Sequence, residues 1–264
     1  MTLAALTTPT VSYDSVSLQT TDYKIESVLD SLHSLPARSI SSFPVARSNK
    51  SIITSSEYNA RTITLVGFID DTTSEASLQG KVDTLKSIAA VGKMNKNLDI
   101  EYAGGTRRFL ATVSDIQIKK DVSSLYRFTI QFLCSNPFGY ATSQTSVSNA
   151  AVTTSPKSIV TVITGTAPPF DATITIEVNT ETDLTEIVVQ NTNNGDEFTI
   201  TRAFTAGDII IAAFSSKTIL VNGSEFDYVG IVPEFESGSN TWTVTSTSTA
   251  HDIDITLDYS PTYL

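Results

Sequence analysis

Residues 133–141, LCSNPFGYA, mark the point where this chain changes character. Just upstream, SLYRFTIQF (124–132) alternates apolar and polar residues and is rich in Tyr and Phe, the pattern of a half-buried strand. Just downstream begins a long Ser/Thr-rich passage with almost no charge. A strand that runs into Asn-Pro-Phe-Gly and then loses its alternation reads as the end of a domain. Two domains follow, 1–140 and 141–264.

Bulk properties agree with a folded two-domain chain. The 264 residues are 40% apolar and 17% charged, enough to build a core. The formal charge of −11 repels phosphate, which disfavours sequence-specific nucleic-acid binding while leaving DNA able to pass an acidic lumen without adhering. The single cysteine, Cys134, cannot form an internal disulfide and fits a reducing compartment. No run of about 18 apolar residues predicts a membrane span. The opening MTLAALTTPT lacks the basic start of a secretory signal.

Most of the chain alternates with period two. In ARTITLVGFI (60–69), Ile63, Leu65 and Ile69 share one face, and Thr62, Thr64, Val66 and Phe68 the other. Both faces are apolar enough for a strand covered on both sides. LDIEYAGGTRRFLATV (98–113) reads as two strands joined at Gly104-Gly105, and 116–134 as two more turning near Asp121 to Ser124. The exception is 72–93, where Leu78, Val82, Leu85 and Ala89 recur at helical spacing. Thr72 with Glu75 fits a capping box there, and Gly92 a helix stop. Gly80 inside it costs about 1 kcal/mol relative to Ala. Residues 23–35 read either as a second helix or as a strand and loop, and 36–59 as a long connection or extended arm. Beyond 141, a short strand at 158–164 precedes GTAPPF, and seven further strands follow at about ten-residue spacing. Asn194-Gly195, Ala206-Gly207-Asp208, Asn222-Gly223 and Gly238-Ser239-Asn240 punctuate them, the rhythm of an antiparallel sandwich.

Chemistry-bearing residues are sparse. His33, His251 and Cys134 are too few for a Cys/His zinc site, and each reads as structural, the histidines on the surface and the cysteine as a buried thiol. Asp252, Asp254 and Asp258 share one strand face, opposite Ile253, Ile255 and Leu257, and read as a solvated face rather than a cation site. Glu234 and Glu236 flank Phe235 at a turn and do not by themselves make an acid/base pair. YAGGTRRF lacks the lysine and helix of a phosphate loop. Its Arg107 and Arg108, with Lys93 and Lys96, form a candidate contact patch for an acidic partner. Trp242 alternates with Val244 and belongs to a core. No cofactor is expected, and no enzyme activity.

Taken in order, ARTITLVGFID, LQGKVDTLKSI, LDIEYAGGTRRFLATV and LYRFTIQFLCSNPFGY resemble the N-terminal domain of the distal tail (Dit) proteins of tailed bacteriophages. In that family the domain closes on an aromatic strand running into a Pro-Phe pair, here Phe128, Phe132, Pro137, Phe138 and Tyr140. Pro137 removes a ladder donor and ends the strand, and Phe138 and Tyr140 fold back as a plug. The order Gly207-Asp208, Asn222-Gly223, then Pro233-x-Phe235-x-x-Gly238-x-Asn240 resembles the family's C-terminal domain. The resemblance implies a mainly β chain: a tail-tube-like β-sandwich or split barrel with one helix, then a galectin-like antiparallel β-sandwich. It implies a hexameric ring at a siphophage tail tip, with a central channel for DNA. The ring would join the tail-tube protein to the hub and to receptor-binding components, in a virion assembled in the host cytoplasm. Candidate ring or partner contacts are Arg38, Arg47, Lys50, Lys93, Lys96, Arg107 and Arg108, with strand addition at exposed edges and the 36–59 arm closing the ring. A tail-tube subunit and a carbohydrate-binding module are the alternative readings.

Overall fold

The computed structural model describes residues 10–29, 35–44, 51–90, 93–102, 105–122, 124–169, 171–180, 183–248 and 251–264. The chain is mainly β and divides into two compact units, residues 1–139 with Leu264, and residues 140–263.

Unit 1 holds β1 (Val11–Tyr13), β2 (Val16–Ser17), β3 (Tyr23–Leu29), β4 (Arg38–Pro44), β5 (Ser51–Tyr58), β6 (Arg61–Asp70), α1 (Glu75–Ile88), β7 (Lys96–Tyr102), β8 (Gly105–Val122) and β9 (Leu125–Cys134). Seven of these strands form a sheet in the order β2-β1-β7-β8-β9-β6-β3, with every pairing antiparallel. Period-two alternation buries Ile63, Leu65 and Ile69 of β6 with Phe128, Ile130 and Phe132 of β9, and Leu78, Val82 and Leu85 of α1 join the same core. The second face of β6 is only half covered: Val66 and Phe68 stay partly exposed, with the Lys24 ammonium 5.5 Å from the Phe68 ring centre.

Several local expectations change. The helix is capped two residues later than the Thr72 box suggests, and the Asp71 carboxylate takes the Thr73 N–H at 2.7 Å just before it. Ser74 is the cap, extended at φ −164°, and its hydroxyl accepts from the Ser77 N–H at 3.1 Å. The Gly92 stop lies outside the described residues. Residues 23–29 are strand β3, not helix, since Tyr23 and Ile25 alternate into the core beside β6. The two strands expected at 105–113 and 116–121 are one strand, β8. A bulge at Ser114 bends it without breaking it, and it pairs with both β7 and β9. β9 ends at Cys134, three residues before Pro137, and the Asn136 side chain caps the exit by accepting from the Phe138 N–H at 3.0 Å. Cys134 itself is buried, and desolvation pushes its thiol up to about 12 against the opposing pull of Arg61.

After β10 (Gly139–Ala141), unit 2 holds β11 (Thr145–Val152), β12 (Lys157–Ile163), β13 (Thr173–Thr180), β14 (Glu186–Asn191), β15 (Glu197–Thr201), β16 (Ile209–Ala213), β17 (Thr218–Val221), β18 (Ser224–Glu225), β19 (Val229–Gly230), β20 (Gly238–Ser246), β21 (Asp252–Tyr259) and β22 (Thr262–Tyr263). Two antiparallel sheets, β11-β21-β13-β16-β17-β18 and β12-β20-β14-β15-β19, close on one core. The Ser/Thr-rich passage after 141 keeps an alternation after all: Ser residues alternating with Val147 and Asn149 form β11, which pairs with β21. Trp242 is fully buried against Phe214 and Phe235, with ring centres 5.2 and 4.6 Å away.

The three short motifs of unit 2 are structural locks. Asn222-Gly223, with φ of 52° and 79°, is the two-residue turn between paired Val221 and Ser224. The buried Asp208 carboxylate accepts from Asn222 Nδ2 at 2.7 Å and the Thr205 N–H at 2.8 Å, tying one turn to the other. Burial pushes the Asp208 carboxyl up, but these bonds and Arg202 outweigh it and hold it below its ordinary value. Asn240, fully buried, accepts from the Glu236 N–H at 2.9 Å and donates to the carbonyls of Glu236 and Gly238 at 2.8 and 3.1 Å.

Charge is not spread evenly. Residues 140–264 carry fifteen Asp and Glu against three Lys and Arg, a net of −12, whereas residues 1–139 carry thirteen against fourteen, a net of +1. The acidity read from composition therefore belongs to unit 2.

Candidate functional site

The segment expected to be a loop or arm is a β-hairpin. Among the described residues β4 and β5 pair only with each other, from Arg38↔Tyr58 to Pro44↔Ser51, with one irregularity at Ser41/Ser42. Its base is stacked: the Arg38 guanidinium lies 4.7 Å from the Tyr58 ring centre, and Tyr58 meets Phe138 edge-on at 5.2 Å. Phe138, the aromatic after Pro137, thus anchors the hairpin. Tyr140 is half-buried.

Ile40, Phe43, Ile52 and Ile53 on this hairpin are 58%, 66%, 60% and 63% exposed. Strand alternation and the register put Phe43 and Ile52 side by side on one face and Ile40 and Ile53 on the other. An isolated two-stranded ribbon is marginal in water, and one with bare apolar side chains on both faces wants cover on both. The residues expected to matter here were the basic ones. The apolar four give no sequence signal of their own, because they are scattered among serines and only the pairing register brings them together.

Of the basic candidates, Arg38 sits at the hairpin base, while Arg47 and Lys50 lie outside the described residues. The proposed basic patch is internally engaged. Lys93 and Lys96 converge on Asp14 at 3.1 and 3.5 Å, and Lys93 above all holds that carboxyl below its ordinary value. Arg108 grips Asp99, its cross-strand partner, with two bonds of 2.7 and 2.8 Å. Arg107 is its chain neighbour on β8 and points to the opposite face.

The remaining chemistry-bearing residues also serve the scaffold. His251 is buried, not on the surface, bonding the Ser248 carbonyl at 3.0 Å; His33 lies outside the described residues. The Asp252 face is not simply solvated. Asp254 accepts from the Ala151 N–H at 2.7 Å and Asp258 from the Ser146 hydroxyl, so these carboxylates fasten β11 to β21. Glu234 pairs with Lys217 at 3.1 Å. Among the described residues no three His, Cys, Asp or Glu side chains gather as a metal would need, and no helix is long and apolar enough to cross a membrane. A groove of about 320 Å³ in unit 1, lined by Gln79, Val82, Lys86, Ile116, Ile118 and Tyr126, lies between α1 and the outer part of the β8–β9 pair.

Comparison with known proteins places this fold. Residues 164–263 match the family model described as "Siphovirus-type tail component, C-terminal domain". The whole chain shares its fold with the crystal structure of the SPP1 Dit protein (gp 19.1), described as a paradigm of the hub adsorption apparatus in phages infecting Gram-positive hosts. That match has a TM-score of 0.73 at 15% identity and covers 98% of this chain and 100% of that one. A chain of the phage P2 baseplate in its activated conformation with Ca matches at a TM-score of 0.46 and 6% identity, over 95% of this chain and 97% of that one. No curated protein sequence matches significantly. The resemblance to the Dit family is thus supported from two sides: residues 164–263 match a siphovirus tail-component domain, and the chain has the fold of the SPP1 Dit protein.

Proposed function

We propose that this chain is a structural ring component of a siphophage tail tip, acting by assembly and not by catalysis. Residues 1–140 build a closed ring of six copies around a channel through which DNA passes, and residues 141–264 engage further tail components. The ring joins the tail-tube protein to the hub and, through it, to receptor-binding proteins, and the particle is put together in the host cytoplasm.

The observation that carries this reading is the β4–β5 hairpin, with four large apolar side chains exposed on its two faces. A projecting ribbon repeated head-to-tail by one interface closes a ring when the rotation closes. Arg38, at the hairpin base, is suited to a polar contact at the interface rim, and Arg47 and Lys50 remain candidate contacts by sequence. Lys93, Lys96 and Arg108 already hold carboxylates of their own chain, so they contribute less to the interface than the hairpin does.

Mass photometry of the purified 28.4-kDa chain tests this. A species of six copies is expected. Burying a Phe or Ile side chain is worth about 1.5–3 kcal/mol, and Phe43 and Ile52 have about two-thirds of that still to gain. The double variant F43S/I52S should then weaken each interface by about 2–4 kcal/mol, at least 30-fold, without unfolding either unit. Wild-type chain that stays monomeric at every concentration, or long tubes in place of closed rings, would overturn the proposal.

A further inference from the structure

Four strands bound the open sides of the unit-2 sandwich: β11 and β18 in one sheet, β12 and β19 in the other. Exposed strand edges are a liability that proteins normally blunt, and three of these four are blunted. β18 and β19 are two residues long. β11 carries a bulge between Asn149 and Val152, with Ala151 at φ 52° and its N–H committed to Asp254. β12 alone runs seven residues in unbroken register with its single neighbour, β20.

The direction of its backbone groups follows from its neighbours. Val160 pairs with Thr241, whose N–H goes to Asn193 Oδ1 at 3.1 Å and whose carbonyl takes the Thr192 N–H at 2.9 Å, both away from β12. The Val160–Thr241 pair is therefore a non-hydrogen-bonded one, and the N–H and C=O of Val160 face the open edge. Ser158 and Val162 share that parity, and the Val162 carbonyl takes the Tyr259 hydroxyl at 3.0 Å. The Val160 and Val162 side chains are 61% and 60% exposed. Beside them the outer face of the sheet continues through the uncharged Thr241, Thr243 and Thr245 of β20 and Val188 and Gln190 of β14, with Glu186 at the start of β14 on the same face.

Charge selects the occupant. β12 carries one charged residue, Lys157, in a unit of net −12. A second copy would set two such units edge to edge, whereas a basic segment is drawn in. We propose that β12 is a docking edge, where an extended, basic segment of a partner protein adds to the five-stranded sheet as a further strand. The affinity comes from the ladder offered by Ser158 and Val160, and the sign preference from the acidic unit. This goes beyond ring formation and is read separately from it.

The test uses the intact chain and a synthetic nonapeptide alternating Val or Thr with Lys, with its Glu counterpart as control. The Lys peptide should bind and slow amide hydrogen exchange within residues 157–163, and the Glu peptide should bind at least tenfold more weakly. V160P, which removes an outward N–H and no β20 bond, should weaken the Lys peptide at least tenfold with Trp242 emission unchanged. A Lys peptide N-methylated at alternate residues keeps the charge but cannot form the ladder, and should lose binding on wild-type chain. Equal binding of the two peptides, undiminished binding of the methylated peptide, protection elsewhere than β12, or peptide-free protection of β12 rising with protein concentration would each overturn the proposal, the last by naming a second copy as occupant.

Discussion

Replacing Asn240 with alanine tests whether the Pro-x-Phe-x-x-Gly-x-Asn run acts as a lock. The side chain is fully buried and closes the Glu236–Gly238 turn with three bonds of 2.8–3.1 Å, while Asn191 Nδ2 approaches its oxygen at 3.4 Å. Alanine leaves the Glu236 N–H without its acceptor and two carbonyls without their donor. A group left unmet costs up to about 1–3 kcal/mol, and because the turn is only partly buried water meets some of these groups and the total comes to roughly 3–4 kcal/mol. For a unit of this size that is a fall in Tm of about 10–15 °C. Trp242 is the sole tryptophan and lies beside the turn, so its emission reports the melting of unit 2 and not of unit 1. Glu236→Ala is the matched control, because only the Glu236 backbone takes part, and it should melt within about 2 °C of wild type. N240A melting within that same margin would refute the lock.

Three further outcomes follow from the geometry. Gly67→Ala places a Cβ 2.5 Å from both the Lys24 carbonyl and the Phe128 ring, so calorimetry of unit 1 should show a loss of about 2–3 kcal/mol. Cys134, its thiol held near 12 by burial, should resist a thiol reagent at pH 8 until the chain is unfolded, and rapid stoichiometric labelling of the native chain would contradict the packing. Asp208 has a folded pKa below its unfolded value, so its stabilisation is present above the ordinary carboxylate range and lost as pH falls through the folded value. The stability gap between wild type and D208N, followed by Trp242 emission, should therefore be largest at neutral pH and shrink below about pH 4.

Elements whose apolar period matched a complete structural face were legible in the sequence: β6, β9, α1 and the alternating strands of unit 2 all bury the side chains that their spacing selects. The misreadings share one physical cause, that pairing is non-local. β11 is Ser-rich and looks structureless until β21 supplies its ladder. β8 looks like two strands because Ser114 interrupts the alternation, yet both halves have the same partner in β9. The 36–59 segment carries no strand signal of its own, and its apolar residues acquire meaning only once the register pairs Phe43 with Ile52. The basic candidates were visible as letters, but Asp14 and Asp99 were not visible as their partners.

Where the chain satisfies itself and where it does not separates scaffold from function. Its groups of chemical promise are turned inward. Cys134 and His251 are buried, Asp208 and Asn240 close turns, and Asp254 and Asp258 fasten a strand. Removing any of these weakens the fold, because a buried polar group without its partner costs more than the bond was worth. The hairpin and β12 run the other way: among the described residues, their exposed apolar side chains and most of the outward backbone groups of β12 are left uncovered. Sequences that fold cleanly remove such features unless something outside covers them. The two kinds of substitution should therefore part experimentally: changes at the locks lower Tm and spare assembly in the surviving fold, and changes at the hairpin or β12 spare Tm and abolish contacts. A hairpin variant that melted early while still forming rings would reverse that assignment, making the ribbon a stabilising element of its own unit and leaving the ring interface to be sought elsewhere.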